Sequence, residues 1–206
     1  MKQLRQYIRQ MLLAEAAFGP ADLPDDIFIK QKADKDFAEF EFVKKVGESV
    51  KYGPRYERVV EHEDGIYGAI QLYLVDEDQV GPCKGAYMIS WAGATDGYGP
   101  LLYDLAMEWA TFNGTGLIAD RGSVSPEALA VWEYYLNNRN DVEAVQLDDL
   151  ENTRTEPTND NCDQDIARST ITGLHTFWWD SPLSKMYRKT NFSTINNLTA
   201  RGKLVE

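Results

Sequence analysis

Residues 84–112 read KGAYMISWAGATDGYGPLLYDLAMEWATF, and the fold turns on this stretch. Up to Trp91 it is an apolar run of strand length, preceded by the turn pair Gly81-Pro82, and it reads as a β-strand. From Pro100 onward the period changes: Leu101, Leu105, Trp109 and Phe112 step along one face of a helix. Gly97-Tyr98-Gly99 lies between the two. Glycines one residue apart let the backbone turn sharply, and Pro100 can open a helix because the first turn leaves its N–H positions unbonded in any case. Asn113-Gly114 closes the helix.

Working outward, residues 116–120 form a short apolar strand, followed by Ser125-Pro126-Glu127. That triplet is a helix start: a hydroxyl cap, a proline at the first position and an acid where the helix dipole favours it. Leu129, Trp132, Tyr135 and Leu136 form its buried stripe. Upstream, Ile66, Ile70, Leu72 and Leu74 share one parity across residues 66–75, a strand that pairs with 84–91 across the polar turn of Asp76-Glu77-Asp78 and Gly81-Pro82. Phe40 and Phe42 alternate with Glu39 and Glu41 in residues 37–46, which predicts a half-buried strand, and 56–61 reads as another. Leu4, Tyr7, Ile8, Met11 and Leu12 share the stripe of a first helix that Gly19-Pro20 ends.

Residues 148–166 are polar and read as a surface loop; the apolar pattern resumes at 171–179. The last segment mixes Tyr187, Phe192, Ile195 and Leu198 with Arg188, Lys189, Arg201 and Lys203, whose charges read as a solvated face. One domain over residues 1–206 is expected. Its class is α/β, with a mixed, mostly antiparallel sheet flanked by helices.

Composition bounds the function. The chain carries 33 Asp+Glu against 21 Lys+Arg, a formal charge of −12 that disfavours general binding to a phosphate backbone and hence nucleic acid. No run approaches the roughly 18 apolar residues of a membrane span. Lys2, Arg5 and Arg9 interrupt the region where a secretory leader needs an apolar core, so a cytoplasmic location is expected, with reduced thiols at Cys83 and Cys162. His62 and His175 have no carboxylate or cysteine at informative spacing; neither a metal site nor a nucleophilic triad is expected.

The glycine turn is the feature with chemistry in it. Amide groups at a helix N-terminus point outward with the positive end of the dipole behind them, an arrangement that attracts phosphate oxygens. The dinucleotide fingerprint fails because Leu102 stands at its third glycine, and no Gly-Lys-Ser/Thr follows to make a P-loop.

Gly97-Tyr98-Gly99 followed by Leu101 and Leu102, with the capped aromatic helix from Ser125 to Tyr135, resembles the GNAT superfamily of acyl-CoA-dependent N-acyltransferases over about residues 60–140. The resemblance implies a GNAT-like fold and acetyl-CoA as co-substrate. It implies that the amides of Gly97, Tyr98, Gly99 and Leu101 hold the pyrophosphate, and that the backbone of Ile89, Ser90 and Trp91 pairs with the pantetheine arm as an added strand would. It further implies Asp120 as the base that deprotonates a primary amine and Tyr135 as the acid for the departing thiolate. The acidic surface suits a cationic acceptor, a small molecule or a lysine-bearing protein. Where the family has Gln or Arg the chain has Ala94, Asp96 precedes the first glycine, and Trp132 stands at the family's tyrosine position. These departures define the alternative, a GNAT-like binding or structural protein without transfer activity. The whole chain is also similar to acetyltransferase-like proteins of tailed phages, which would place it in a host cytoplasm or a virion.

Overall fold

The computed structural model describes residues 17–49, 53–58, 68–75, 85–95, 97–120, 124–147 and 178–206. The first helix, Asp96, both cysteines, both histidines and the polar stretch 148–166 lie outside these residues. In chain order the strands are β1 (Ile27–Ala33), β2 (Phe37–Ser49), β3 (Gly53–Arg58), β4 (Gly68–Leu74), β5 (Ala86–Ala94), β6 (Gly116–Ile118), β7 (Val142–Gln146), β8 (Lys185–Lys189) and β9 (Leu204–Val205). Helices α1 (Gly99–Asn113), α2 (Pro126–Asn138) and α3 (Ser193–Ala200) complete an α/β architecture. The strand order is β7-β8-β6-β5-β4-β2-β1-β9, with β3 paired to β2. The sheet is mixed: β1–β2, β2–β3, β6–β8 and β7–β8 are antiparallel, and β5–β6 and β1–β9 are parallel. Among the described residues no helix is long and apolar enough to cross a membrane.

The chain divides into two compact units, one of Met1–Leu72, Trp91–Ala106 and Phe192–Glu206, the other of Tyr73–Ser90 and Met107–Asn191. In the first unit the register sets Ile29 against Phe42 and Gln31 against Phe40 on one face of the β1–β2 ladder. Phe40 and Phe42 are buried, as their alternation predicts, and so are Ile27 and Ile29 of β1. The opposite face departs from expectation. Glu39 and Glu41 are buried too, because the register places them across from Lys32 and Lys30. Lys32 Nζ lies 2.8 Å from Glu39 Oε2, and Gln71 Nε2 donates to Glu39 Oε1 at 2.8 Å. Opposite charges across a strand pair stabilise it, so these acids are buried with partners.

The end of the chain is also fastened rather than solvated. Gly202 takes the left-handed conformation (φ 63°) after α3, and β9 joins β1 through Ile29 N–H donating to the Lys203 carbonyl at 2.8 Å. The Lys203 ammonium, expected on a charged face, is buried and donates to the carbonyls of Pro24, Asp25 and Ile27 at 2.6, 2.9 and 3.1 Å, above the Phe28 ring. Desolvation lowers its pKa from the usual lysine value.

In the second unit Val75, Ala86, Ile118, Leu147 and Met186 form one apolar cluster. The register puts Tyr87, Leu117 and Tyr187 on the other face, where Trp109 of α1 meets Tyr87 edge-on at 4.8 Å and Trp132 of α2 stacks on Tyr187 at 4.9 Å. The Tyr187 hydroxyl donates to the Pro182 carbonyl at 2.7 Å, and burial pushes its pKa well above 10. Ser125 caps α2 as the sequence predicts, its Oγ accepting from Ala128 N–H at 3.2 Å. Leu101, Leu105 and Trp109 are buried along α1, whereas Phe112, expected on the same stripe, is 76% exposed. Lys189 also departs from the solvated reading: its side chain is fully buried, 2.6 Å from Asp141 Oδ2 and 4.0 Å from the buried Glu108.

Candidate functional site

The glycine turn lies in the first unit, between the end of β5 and the start of α1. Gly97 has φ 87°, a conformation that a side chain disfavours, so the first glycine is required by the backbone. The Tyr98 amide donates to the Thr95 carbonyl at 3.1 Å, closing the turn. One of the four amides implied as phosphate ligands is therefore engaged within the turn. Gly99 and Leu101 lie in the first turn of α1, where amides have no partner inside the helix, and Pro100 between them has none to offer.

Side chains sort cleanly around this turn. Tyr98, Leu101 and Leu102 are buried; Tyr98 meets Phe42 edge-on at 5.9 Å and Phe18 stacks on it at 4.5 Å. Burial, followed by the charge of Asp22, raises the pKa of the Tyr98 hydroxyl, which donates to the Asp22 carbonyl at 3.4 Å. Gly99 faces the other way. A Cβ there would meet nothing within 4 Å among the described residues, so the helix opens beside unfilled space.

Trp91, on β5 in the same unit, is 49% exposed, and its indole lies beside Gly93. A Cβ at Gly93 would stand 3.2 and 3.3 Å from the indole carbons Cζ2 and Cη2, so the absent side chain lets the ring settle there.

The remaining implied residues belong to the second unit. Pairing of β5 with β6 covers Ala86–Gly116, Tyr87–Leu117 and Met88–Ile118. Beyond it, buried Ile89 and exposed Ser90 continue as strand, whereas Ala119 and Asp120 have left strand conformation. The β5–β6 pairing ends with β6 at Ile118, and Asp120 is half-buried two residues beyond it. Tyr135 is 1% exposed; the Arg139 guanidinium lies 5.2 Å from its ring centre and Tyr134 meets its edge at 5.8 Å. By burial and contacts Tyr135 is a packing residue of α2, as is Trp132.

Two features near the site were missed by the sequence reading. Phe18 carries no signal of its own in the sequence, where Gly19-Pro20 marks only the end of a helix, yet it touches the glycine turn through backbone and ring. Trp91 was assigned a backbone role, and its exposed indole had no local signal beyond its residue type. No protein-family model, no curated protein and no solved structure matches this chain.

Proposed function

We propose that this protein is a GNAT-type N-acetyltransferase that moves an acetyl group from acetyl-CoA to a primary amine of a cationic acceptor. The observation that carries the reading is the passage from β5 through the left-handed Gly97 into α1, with nothing among the described residues within 4 Å of where a Gly99 Cβ would stand. Amides of the first turn and the helix dipole supply phosphate binding without a cationic side chain. Strand β5 runs on past its last pair with β6, Met88–Ile118, through Ile89, Ser90 and Trp91, and this supports a berth for the pantetheine arm along their backbone. Asp120, two residues past the end of β6, is the base in this reading.

In this reading the amine nitrogen attacks the thioester carbonyl carbon, and Asp120 takes the proton that the nitrogen must lose. The tetrahedral intermediate collapses, the C–S bond breaks, and the thiolate takes a proton. Tyr135 is the donor that the resemblance implies. Its burial and the Trp132 substitution favour a second reading, a GNAT-like binding or structural protein of the kind carried by tailed phages, which binds without transferring.

Calorimetric titration with acetyl-CoA tests the transferase reading. Gly99→Val is the sharpest probe, because its Cβ meets nothing within 4 Å among the described residues while the side chain obstructs the first-turn amides. It is expected to weaken acetyl-CoA binding at least ~10-fold, about 1.4 kcal/mol, with an unchanged melting temperature. Wild-type protein that binds no acetyl-CoA at high micromolar concentration removes the transferase reading and leaves the binding or structural one. Given binding, Asp120→Asn is expected to lower turnover by roughly 10²–10⁴-fold with affinity unchanged. Full turnover in that variant would remove Asp120 as the base.

A further inference from the structure

We infer that Phe18 is the positioning residue of the Gly97 turn, holding its peptide planes in the orientation that a ligand of α1 requires. The role in ligand binding rests on the acyl-CoA reading above; the hold on the turn stands by itself.

A trans peptide directs its C=O and N–H to opposite sides, so fixing both ends fixes the plane. At the Gly97–Tyr98 peptide both ends are held. The Gly97 carbonyl accepts from Phe18 N–H at 2.9 Å, and the Tyr98 N–H donates to the Thr95 carbonyl at 3.1 Å. The Phe18 ring then stacks on Tyr98, 4.5 Å between centroids at 27°, and traps that side chain against Phe42. The closure continues through the Phe18 neighbours: Gly19 N–H donates to Asp22 Oδ2 at 2.8 Å, and the Asp22 carbonyl accepts from the Tyr98 hydroxyl at 3.4 Å. Segment and turn therefore grip each other at one backbone–backbone bond, one hydroxyl-to-carbonyl bond and a ring stack.

Such a hold is needed where the chain is weakest. Glycines on both sides of Tyr98 give the turn more conformations to lose than any other residue pair would, and that entropy is charged against a ligand that needs one of them. A turn already confined by Phe18 has lost it on folding. Phe18 itself is 41% exposed, so its ring contributes little to the core and much to the turn.

The test uses the full chain with Phe18→Ala, Phe18→Leu and Phe18→Tyr. Hydrogen–deuterium exchange of the unliganded protein is read for residues 97–102 and for the rest of the chain. In Phe18→Ala these amides are expected to exchange about tenfold faster with the remainder unchanged, the pattern of a local opening. Phe18→Leu, which keeps apolar bulk without the stack and guards against misfolding, should fall between. Phe18→Tyr should restore the slow exchange. Wild-type rates in Phe18→Ala, or acceleration spread evenly over the chain, would overturn the hold. Titration with acetyl-CoA is the second arm: Phe18→Ala should raise Kd at least fivefold and raise KM more than it lowers kcat, with rescue by tyrosine. If the wild type binds but Phe18→Ala binds as tightly, the positioning role is wrong while the acyl-CoA reading survives. If the wild type binds nothing, that reading fails and the exchange data alone decide what Phe18 does.

Discussion

Gly68→Val is expected to lower the melting temperature by about 10 °C, the summed effect of a strained backbone and an overpacked strand contact. Gly68 has φ 150°, in the region that side chains avoid. A Cβ at this position would fall on the Gly93 carbonyl oxygen and stand 2.6 Å from Ala94 Cα. The obstruction is backbone, so no rotamer change relieves it. Strand β4 runs antiparallel to β5, with Gly68 against Gly93 and Ala94 at one end and Val75 N–H bonded to the Ala86 carbonyl at 2.9 Å at the other. A side chain at Gly68 must therefore push β5 aside just before the glycine turn. Strain of roughly 1–3 kcal/mol and overpacking of similar size sum to about 4 kcal/mol, and each kcal/mol moves Tm by about 2–4 °C at this chain length. Gly202→Ala is the control. It shares a positive φ, 63°, but its Cβ would meet nothing within 4 Å among the described residues, so the left-handed cost of about 1 kcal/mol is what remains. Thermal unfolding of the two variants side by side checks the argument; equal losses would mean that the close approach of β4 to β5 contributes nothing.

What was legible in the sequence was local. Ser125-Pro126-Glu127 announced α2 because cap, proline and acid act within one turn, and the Ser125 bond to Ala128 is there. The alternation of Ile70, Leu72 and Leu74 announced β4, and the two glycines before Pro100 announced a turn into a helix. Strands β1, β7 and β8 were not read as strands. In β1, Ile27-Phe28-Ile29 is too short an apolar run to stand out beside Lys30 and Lys32, which make sense only once the register brings Glu41 and Glu39 opposite. The burial of Glu39, Glu41, Glu108, Lys189 and Lys203 is invisible for the same reason: a charge in a sequence defaults to solvent, and only a partner distant along the chain makes burial tolerable. Within the candidate site, the turn and its helix could be read, but not the Phe18 contact that closes on it. Periodicity reports which face a residue occupies and carries no information about what arrives from elsewhere in the chain.

The buried ionic cluster of the second unit gives the other large effect. Lys189→Met keeps length and apolar volume while deleting the ammonium, and it is expected to lower Tm by about 10 °C, because breaking a buried pair costs about 3–5 kcal/mol. Both Lys189 and Glu108 side chains are fully buried, and Lys189 Nζ lies 2.6 Å from Asp141 Oδ2 and 4.0 Å from Glu108 Oε1. Asp141 keeps Arg139, whose Nε and Nη2 each donate to it at 2.7 Å. Glu108 is the acid left inside the protein with a cation removed. Adding Glu108→Gln to Lys189→Met should therefore recover part of the loss, since the single variant takes a cation from beside a buried carboxylate; a double variant less stable than the single one would refute this. Acid titration provides a separate check on Asp141. Hydrogen bonds first from Arg139 and then from Lys189 hold its carboxyl well below the usual carboxylate range despite partial burial. A depressed native pKa stabilises the fold fully above the unfolded value of about 4, and that stabilisation drains away as pH falls from there toward the native value. Stability measured from neutral pH downward should thus decline below about pH 4 in the wild type and more gently in Asp141→Asn, which has already lost the charge whose protonation drives the decline.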